Sequence, residues 1–303
     1  MSKTAFVFPG QGSQYVGMGK DLYENNSHAK ELFDNANEIL GFDITKIMFD
    51  GPAEELKQTY VTQPALFLHS AVLFELLKEK NFEAAAGHSL GEYTALFAAG
   101  ALSFEDGLSL VRERGKAMFE AGKIKKGTMA AVIGLDYEKL NEACKQASAK
   151  GIVQCANFNS PGQIVISGEP EAVYEAMKLA KESGAKIVKE LVVSGAFHSA
   201  LMEYAVEEFS KKLNDVKISD AQIPVYANVT ALPVTKSEKI KDLLLRQLVS
   251  PVRWEQTIKN MISDGIDTFV EIGSGKVLQG LIKRIDRSVK ILGIDKYEDL
   301  INF

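Results

Sequence analysis

The sequence predicts an α/β protein in two unequal parts: a large subdomain around a parallel sheet, and a small ferredoxin-like subdomain inserted into it. Three observations carry this. Across residues 1–126 and again across 195–303, short apolar runs alternate with runs of helical spacing, the pattern that packs helices on a parallel sheet. Between 127 and 194 the order becomes strand, helix, strand, strand, helix, strand (βαββαβ), the split-βαβ signature. Finally, Gly87-His88-Ser89-Leu90-Gly91 lies between an apolar run and a helical one. Strand, Gly-x-Ser-x-Gly, helix is the layout of a nucleophile elbow.

The elements follow in order. Ala5 to Phe8 reads as a buried strand, stopped by Pro9-Gly10. The turn after it is not a dinucleotide fingerprint, because Tyr15 stands where the third glycine belongs. It does bring backbone and the Gln11 amide over the sheet. Glu24 to Leu40 carries helical spacing, with Leu32, Phe33, Ala36 and Leu40 on one face. Pro64 to Lys80 reads as a long helix with Thr62 as its cap and His69 in the core. Phe82 to Ala86 is a strand, and Tyr93 to Ala101 the helix after the elbow. Phe104 to Phe119 is a further helix with Arg112 and Arg114 on different faces, where an arginine ordinarily reaches out to solvent.

Lys123 to Gly127 reads as the hinge into the insert. The insert offers strands at Thr128 to Gly134, Ile152 to Phe158, Gln163 to Ser167 and Lys186 to Val193, with helices at Tyr137 to Ser148 and Pro170 to Ser183. The large subdomain resumes at Gly195, after Ser194. A helix from Leu201 to Leu213 and a strand from Ile223 to Asn228 come first. Helices at Ile240 to Val249 and Trp254 to Asp264 follow. A strand at Thr268 to Ile272, a helix at Val277 to Ile285 and a strand at Val289 to Ile294 complete the pattern. Gly273-Ser274-Gly275-Lys276 is not a P-loop, since Val270 replaces its first glycine and Val277 its Ser/Thr.

Bulk properties narrow the function. The 303 residues are 46% hydrophobic, enough for a sizeable buried core. The net charge of −5, from 35 basic and 40 acidic residues, argues against a general nucleic-acid binder. Cys144 and Cys155 make neither a metal spacing nor a disulfide framework, and read as small buried residues of a reducing compartment. The N-terminal apolar run is too short for a signal peptide, and no stretch approaches 18 consecutive apolar residues. A cytoplasmic protein with no membrane span and no bound metal is the expectation.

The chemistry centres on Ser89. An elbow lifts a serine hydroxyl off the sheet and aims it at the positive N-terminal end of the next helix, where an oxyanion would form. A serine needs an adjacent base. Of the four histidines, His28 lies on a polar helix and His69 inside one. His88 adjoins Ser89, where consecutive side chains diverge. His198 follows a strand and a glycine, where a side chain can reach a cleft, and is the favoured base.

Several stretches recur together in one family: Phe8-Pro9-Gly10-Gln11-Gly12-Ser13-Gln14, Gly87-His88-Ser89-Leu90-Gly91-Glu92-Tyr93, Asn157-Phe158-Asn159-Ser160-Pro161-Gly162-Gln163 and Gly195-Ala196-Phe197-His198-Ser199. The chain resembles the malonyl-CoA:acyl carrier protein transacylases of bacterial fatty-acid synthesis over residues 4–295. The resemblance implies an α/β-hydrolase-like large subdomain with a ferredoxin-like insert. It implies Ser89 as nucleophile, His198 as base, and the backbone N–H groups of Gln11 and Leu90 as oxyanion hole. Arg114 would hold the substrate carboxylate, and Gln247 would orient His198 through its backbone carbonyl. Gln63, Asn157 and Asn159 would line the cleft, and Phe197 would narrow it against a branched acyl group. Malonyl-CoA and acyl carrier protein would be the substrates of a monomer needing no cofactor, coenzyme A entering only as a thioester. Lys116, Lys186, Lys189, Lys283, Arg284 and Arg287 would give an acidic carrier protein a basic landing patch. A serine esterase or thioesterase on the same elbow, and a non-catalytic carrier-binding scaffold, are the alternatives.

Overall fold

The computed structural model describes residues 2–303. The chain begins with β1 (Thr4–Phe8), then the helices α1 (Lys20–Asn25), α2 (Ser27–Leu40), α3 (Ile44–Asp50), α4 (Ala53–Leu56) and α5 (Thr59–Leu77). Next come β2 (Ala84–Gly87), α6 (Gly91–Ala98) and α7 (Phe104–Ile124). The middle of the chain forms β3 (Thr128–Ile133), α8 (Tyr137–Ala147), β4 (Val153–Ser160), β5 (Gln163–Gly168), α9 (Pro170–Glu182) and β6 (Ile187–Glu190). After α10 (Glu203–Asp215) come β7 (Val225–Tyr226), β8 (Pro233–Val234), α11 (Ser237–Gln247) and α12 (Trp254–Ser263). The last elements are β9 (Thr268–Ile272), α13 (Val277–Ile285), β10 (Lys290–Ile294) and α14 (Tyr297–Asn302).

These strands make two sheets. One runs β10-β9-β1-β2-β7-β8 and is parallel except for the short β8 at its edge. The other runs β4-β5-β3-β6 and is antiparallel throughout. All of its strands lie in sequence between β2 and β7, which are neighbours in the first sheet. The second sheet is therefore an excursion from a crossover of the first.

Strand alternation sorts the core. Phe6 and Phe8 point into the large cluster that α2, α5 and α7 cover. Ala5 and Val7 point to the opposite face, against Trp254, Ile258 and Leu278. A separate core, including Val132, Ile166, Leu140 and Val173, fills the space between the antiparallel sheet and its helices. The antiparallel sheet is tied to the large part through β4: the Phe158 N–H donates to the Val252 carbonyl and the Val252 N–H to the Ala156 carbonyl, each at 2.8 Å, with Val252 in the chain between α11 and α12.

Several expected boundaries move, each for a local reason. The helix expected from Glu24 breaks at Asn26, whose extended backbone and side chain cap α2 by accepting from the Ala29 N–H. Helix α5 starts at Thr59, so Thr62 is not its cap. The Thr62 hydroxyl donates instead to the Leu56 carbonyl at 2.6 Å, and Pro64 sits inside the helix. Thr59–Leu77 is long and apolar enough to cross a membrane, but 83% of that span is buried in this protein. Helix α7 runs through Ile124, into the stretch expected to be hinge. The strand expected at Ile223 to Asn228 shrinks to Val225–Tyr226, and the one expected at Lys186 to Val193 to Ile187–Glu190.

Candidate active site

β2 ends at Gly87 and α6 begins at Gly91, so Ser89 occupies the tightest part of the turn with a left-handed φ of +52°. The turn needs both glycines. A Cβ on Gly87 would lie 1.8 Å from the Gly91 carbonyl carbon, and one on Gly91 would lie 2.0 Å from the Phe8 carbonyl oxygen. Backbone therefore packs on backbone, and the elbow sits directly against β1.

The Ser89 Oγ lies 2.8 Å from His198 Nε2. On the far side of the ring, His198 Nδ1 lies 2.8 Å from the Gln247 backbone carbonyl. A carbonyl only accepts, so Nδ1 carries the proton and Nε2 presents its lone pair to the serine hydroxyl. Among the described residues, no carboxylate bonds to this ring. Burial, and then the charge of Arg114, lower the His198 pKa to about 3, so the imidazole is neutral over the ordinary pH range.

Arg114 overturns the expectation that a helical arginine reaches solvent: its side chain on α7 is 1% exposed. Two side-chain amides hold it. One terminal nitrogen donates to Gln63 Oε1 at 2.8 Å and the other to Gln247 Oε1 at 2.9 Å, with Ser89 Oγ at 3.1 Å from the latter. The guanidinium also stands over the Tyr93 ring, 5.3 Å from its centroid. Arg112, one face away, donates to the Leu40 carbonyl and stays half-buried.

These groups open on a cleft of about 250 Å³ at the carboxyl ends of β1, β2 and β9. Gln11, Gln63, Ser89, Leu90, Arg114, Asn157, Asn159, Phe197 and His198 all line it. Gln247 does not; it is fully buried behind the histidine and the arginine. Apolar walls come from Met118, Met129, Val165, Leu191, Val193 and Leu281. The cleft thus draws on both sheets and on the chain between β6 and α10.

Three groups at the site escaped the sequence reading. His88, whose position next to Ser89 implies a diverging side chain, nevertheless lines the cleft, with Nε2 2.8 Å from Asn159 Oδ1. Asn228 accepts the Ser89 N–H at 2.7 Å and donates to the Gly87 carbonyl at 2.6 Å. Glu92, 2% exposed, receives bonds from the Asn228 N–H and the Gln247 side-chain amide. Glu92 stood in a quoted motif; nothing in the sequence marked Asn228.

A neutral imidazole on a serine hydroxyl, a buried cation beside it, and a cleft at the sheet's carboxyl edge are the parts that serine-based acyl-transfer and hydrolytic enzymes use. The sequence profile of the acyl transferase domain matches residues 5–295. The chain is 49% identical over 303 residues to the malonyl CoA-acyl carrier protein transacylase of Bacillus subtilis, covering 99% of this chain and 96% of that one. Against the Staphylococcus aureus protein of the same name, strain MRSA252, identity is 48% over 301 residues, covering 99% and 98%. A crystal structure of an acyl carrier protein S-malonyltransferase from Vibrio cholerae superposes with a TM-score of 0.96 at 43% identity, covering 99% of each chain. The chain belongs to the malonyl CoA-acyl carrier protein transacylase family.

Proposed function

We propose that this protein moves a malonyl group from malonyl-CoA to the phosphopantetheine thiol of acyl carrier protein, through a malonyl-serine at Ser89, and so supplies fatty-acid chain elongation. One observation carries the reading: the Ser89 hydroxyl is held between a base at 2.8 Å and a guanidinium at 3.1 Å. His198 Nε2 takes the hydroxyl proton as the oxygen attacks the thioester carbonyl. The oxyanion turns toward the backbone N–H groups of Gln11 and Leu90. As the intermediate collapses, His198 returns the proton to the departing thiolate. The carrier thiol then runs the same steps in reverse.

Arg114 receives the free carboxylate of the malonyl group, a planar fork meeting a planar anion. Gln63 and Gln247 keep that fork aimed, and Gln247 orients His198 through its carbonyl. Asn157 and Asn159 line the far wall, and Phe197 narrows the space beside the base. No cofactor takes part; coenzyme A enters and leaves as substrate. The apolar walls suit a pantetheine arm and keep water from the acyl-serine.

The large part, 1–126 with 195–303, acts as an α/β-hydrolase-like catalytic subdomain. The part from 127 to 194 acts as a ferredoxin-like subdomain, a reading supported by the strand order β4-β5-β3-β6. Lys186, Lys189, Lys283, Arg284 and Arg287 are exposed. Lys283 and Arg284 lie in the last turn of α13, whose Val277, Leu278 and Leu281 line the cleft, so an acidic carrier protein would land beside its mouth. Lys116 fits less well, being half-buried and paired with Glu113 at 2.8 Å. The protein works as a monomer in the cytoplasm, where the buried free thiols of Cys144 and Cys155 stay reduced.

Intact-mass measurement tests this. Malonyl-CoA should add one malonyl group to the parent and none to Ser89→Ala. Carrier protein bearing a free pantetheine thiol should then remove the group as malonyl-carrier. Release as free malonate at the same rate, with or without carrier, would make the protein a thioesterase instead.

A further inference from the structure

Glu92 lies one turn beyond the nucleophile, at the start of α6 and beneath the cleft, where substrate cannot touch it. Its Oε2 accepts from the Asn228 backbone N–H at 2.9 Å and from Gln247 Nε2 at 2.8 Å. Each donor leads to the reacting groups. Asn228 uses its side chain to hold the Ser89 N–H and the Gly87 carbonyl, the two ends of the elbow's tight half. Gln247 gives its carbonyl to His198, its amide oxygen to Arg114, and its amide nitrogen also to the Ser89 carbonyl at 3.0 Å. A single carboxylate oxygen is therefore common to the support of nucleophile, base and substrate-binding cation. Glu92, Asn228 and Gln247 come from α6, the chain after β7 and the end of α11, elements far apart in sequence.

We propose that Glu92 is the positioning residue of this acyl transfer, the acceptor whose reach keeps Ser89, His198 and Arg114 in mutual register. The assignment rests on the acyl-serine reading above. Serine and imidazole must meet within a few tenths of an ångström, so slack in either support lowers the rate rather than the stability alone. Two features make reach, not charge, the property supplied. Both donors converge on the same oxygen, which the amide of glutamine can reproduce. And burial pushes the Glu92 pKa up to about 7, so its negative charge is only half committed at neutral pH. The Gln247 amide, oxygen toward Arg114 and nitrogen toward Glu92, also keeps cation and anion from direct contact.

The test compares Glu92→Gln, which keeps the acceptor at full length without the charge, with Glu92→Asp, which keeps the charge one methylene short. Neither empties the site. The readout is the single-turnover rate constant for phosphonylation of Ser89 by a fluorophosphonate, in which the serine oxygen replaces fluoride on phosphorus. An irreversibly misfolded fraction lowers the amplitude and not the rate constant, a variant kept well below its melting temperature is essentially all folded, and this reagent needs neither malonyl-CoA nor carrier protein. Glu92→Gln is expected within about 3-fold of the parent, and Glu92→Asp at least about 10-fold slower, with a parallel loss in acylation by malonyl-CoA. The reverse order would assign the role to charge and overturn the proposal, as would two variants equal to the parent. Parent protein that reacts with the fluorophosphonate but not with malonyl-CoA would sink the proposed substrate while leaving the Glu92 ranking to stand or fall separately.

Discussion

Ser89 and His198 are 109 residues apart in the chain, yet their Oγ and Nε2 lie 2.8 Å apart, and both residues hold left-handed backbones at φ +52° and +57°. A non-glycine residue in that region costs about 1–3 kcal/mol and persists only where the surroundings over-determine it. At Ser89 the surroundings are the glycine contacts and the Asn228 clamp. At His198 they are the Gln247 carbonyl on Nδ1 and the Gln154 amide on the backbone oxygen. Ser89→Ala should abolish acylation and leave the fold intact. Ser89→Gly should be equally inactive but melt higher than Ser89→Ala, by up to about 1 kcal/mol in denaturant titrations, because glycine accepts a positive φ. Equal stability of the two would mean the turn is not strained.

Arg114 should separate acyl groups. With its guanidinium gone, a malonyl carboxylate would meet only Gln63 and Gln247, now unpaired themselves. Arg114→Ala should lose malonyl transfer by about 2–5 kcal/mol, roughly 30- to 5,000-fold, with a much smaller loss for acetyl-CoA. Arg114→Lys should recover little, since a point charge cannot serve both amides and a carboxylate at once. Steady-state kcat/KM for the two thioesters, measured side by side, decides it. Equal losses would make Arg114 a structural residue.

The depressed pKa of His198 sets the pH dependence. The folded protein resists protonating this ring until pH approaches about 3, whereas the unfolded chain takes up the proton near the usual 6.5. Within that window the unfolded state binds more protons, so His198 makes stability fall as pH drops from 6.5 toward 3 and contributes no slope above it. The free-enzyme acylation rate should likewise hold from neutral pH well into the acid range. Arg114 is the second cause of the depression, after burial. In Arg114→Ala the acid limb should therefore move up toward neutral. Stopped-flow acylation of both proteins between pH 4 and 8, a range chosen to bracket the usual histidine value, reads this directly. An acid limb that stays put would mean that Arg114 does not help to lower the pKa.

What the sequence disclosed followed the range of the forces involved. Thr268–Ile272 and Val277–Ile285 appear with the expected bounds, because an apolar run and a helical stripe are local signals. The elbow was legible for the same reason: five adjacent residues carry it. Asn26 hid a helix break because its cap depends on an extended backbone that the apolar spacing on either side does not register. Pro64 misdirected the start of α5, because a proline favours a first turn, yet here tertiary burial extends the helix ahead of it. Arg114 looked like a solvent-facing residue until Gln63 and Gln247, from distant elements, supplied its acceptors. Asn228 carried no signal at all, since in the sequence it reads only as the last residue of the strand expected at Ile223 to Asn228.

The glycines of the elbow give the sharpest contrast in this fold between a backbone that must be bare and one that merely is. A methyl group on Gly91 would lie 2.0 Å from the Phe8 carbonyl oxygen, and both partners are backbone in the centre of the protein, with no flexible end to yield. Relief requires α6 to lift away from β1, and that movement carries Ser89 with it. Overpacking a core side chain costs about 1–3 kcal/mol, and a backbone collision should reach or exceed the upper end. Gly280 is the opposite case. It is exposed on α13, its φ is not left-handed, and a Cβ there would have nothing within 4 Å. Gly280→Ala should stabilise by about 0.5–1 kcal/mol through helix propensity, although α13 also walls the cleft. Urea titrations should thus move in opposite directions for Gly91→Ala and Gly280→Ala. Acylation of Ser89 should fail in the first and persist in the second. A fully active Gly91→Ala would mean that the elbow and β1 are not in backbone contact, and that Ser89 sits elsewhere than against β1.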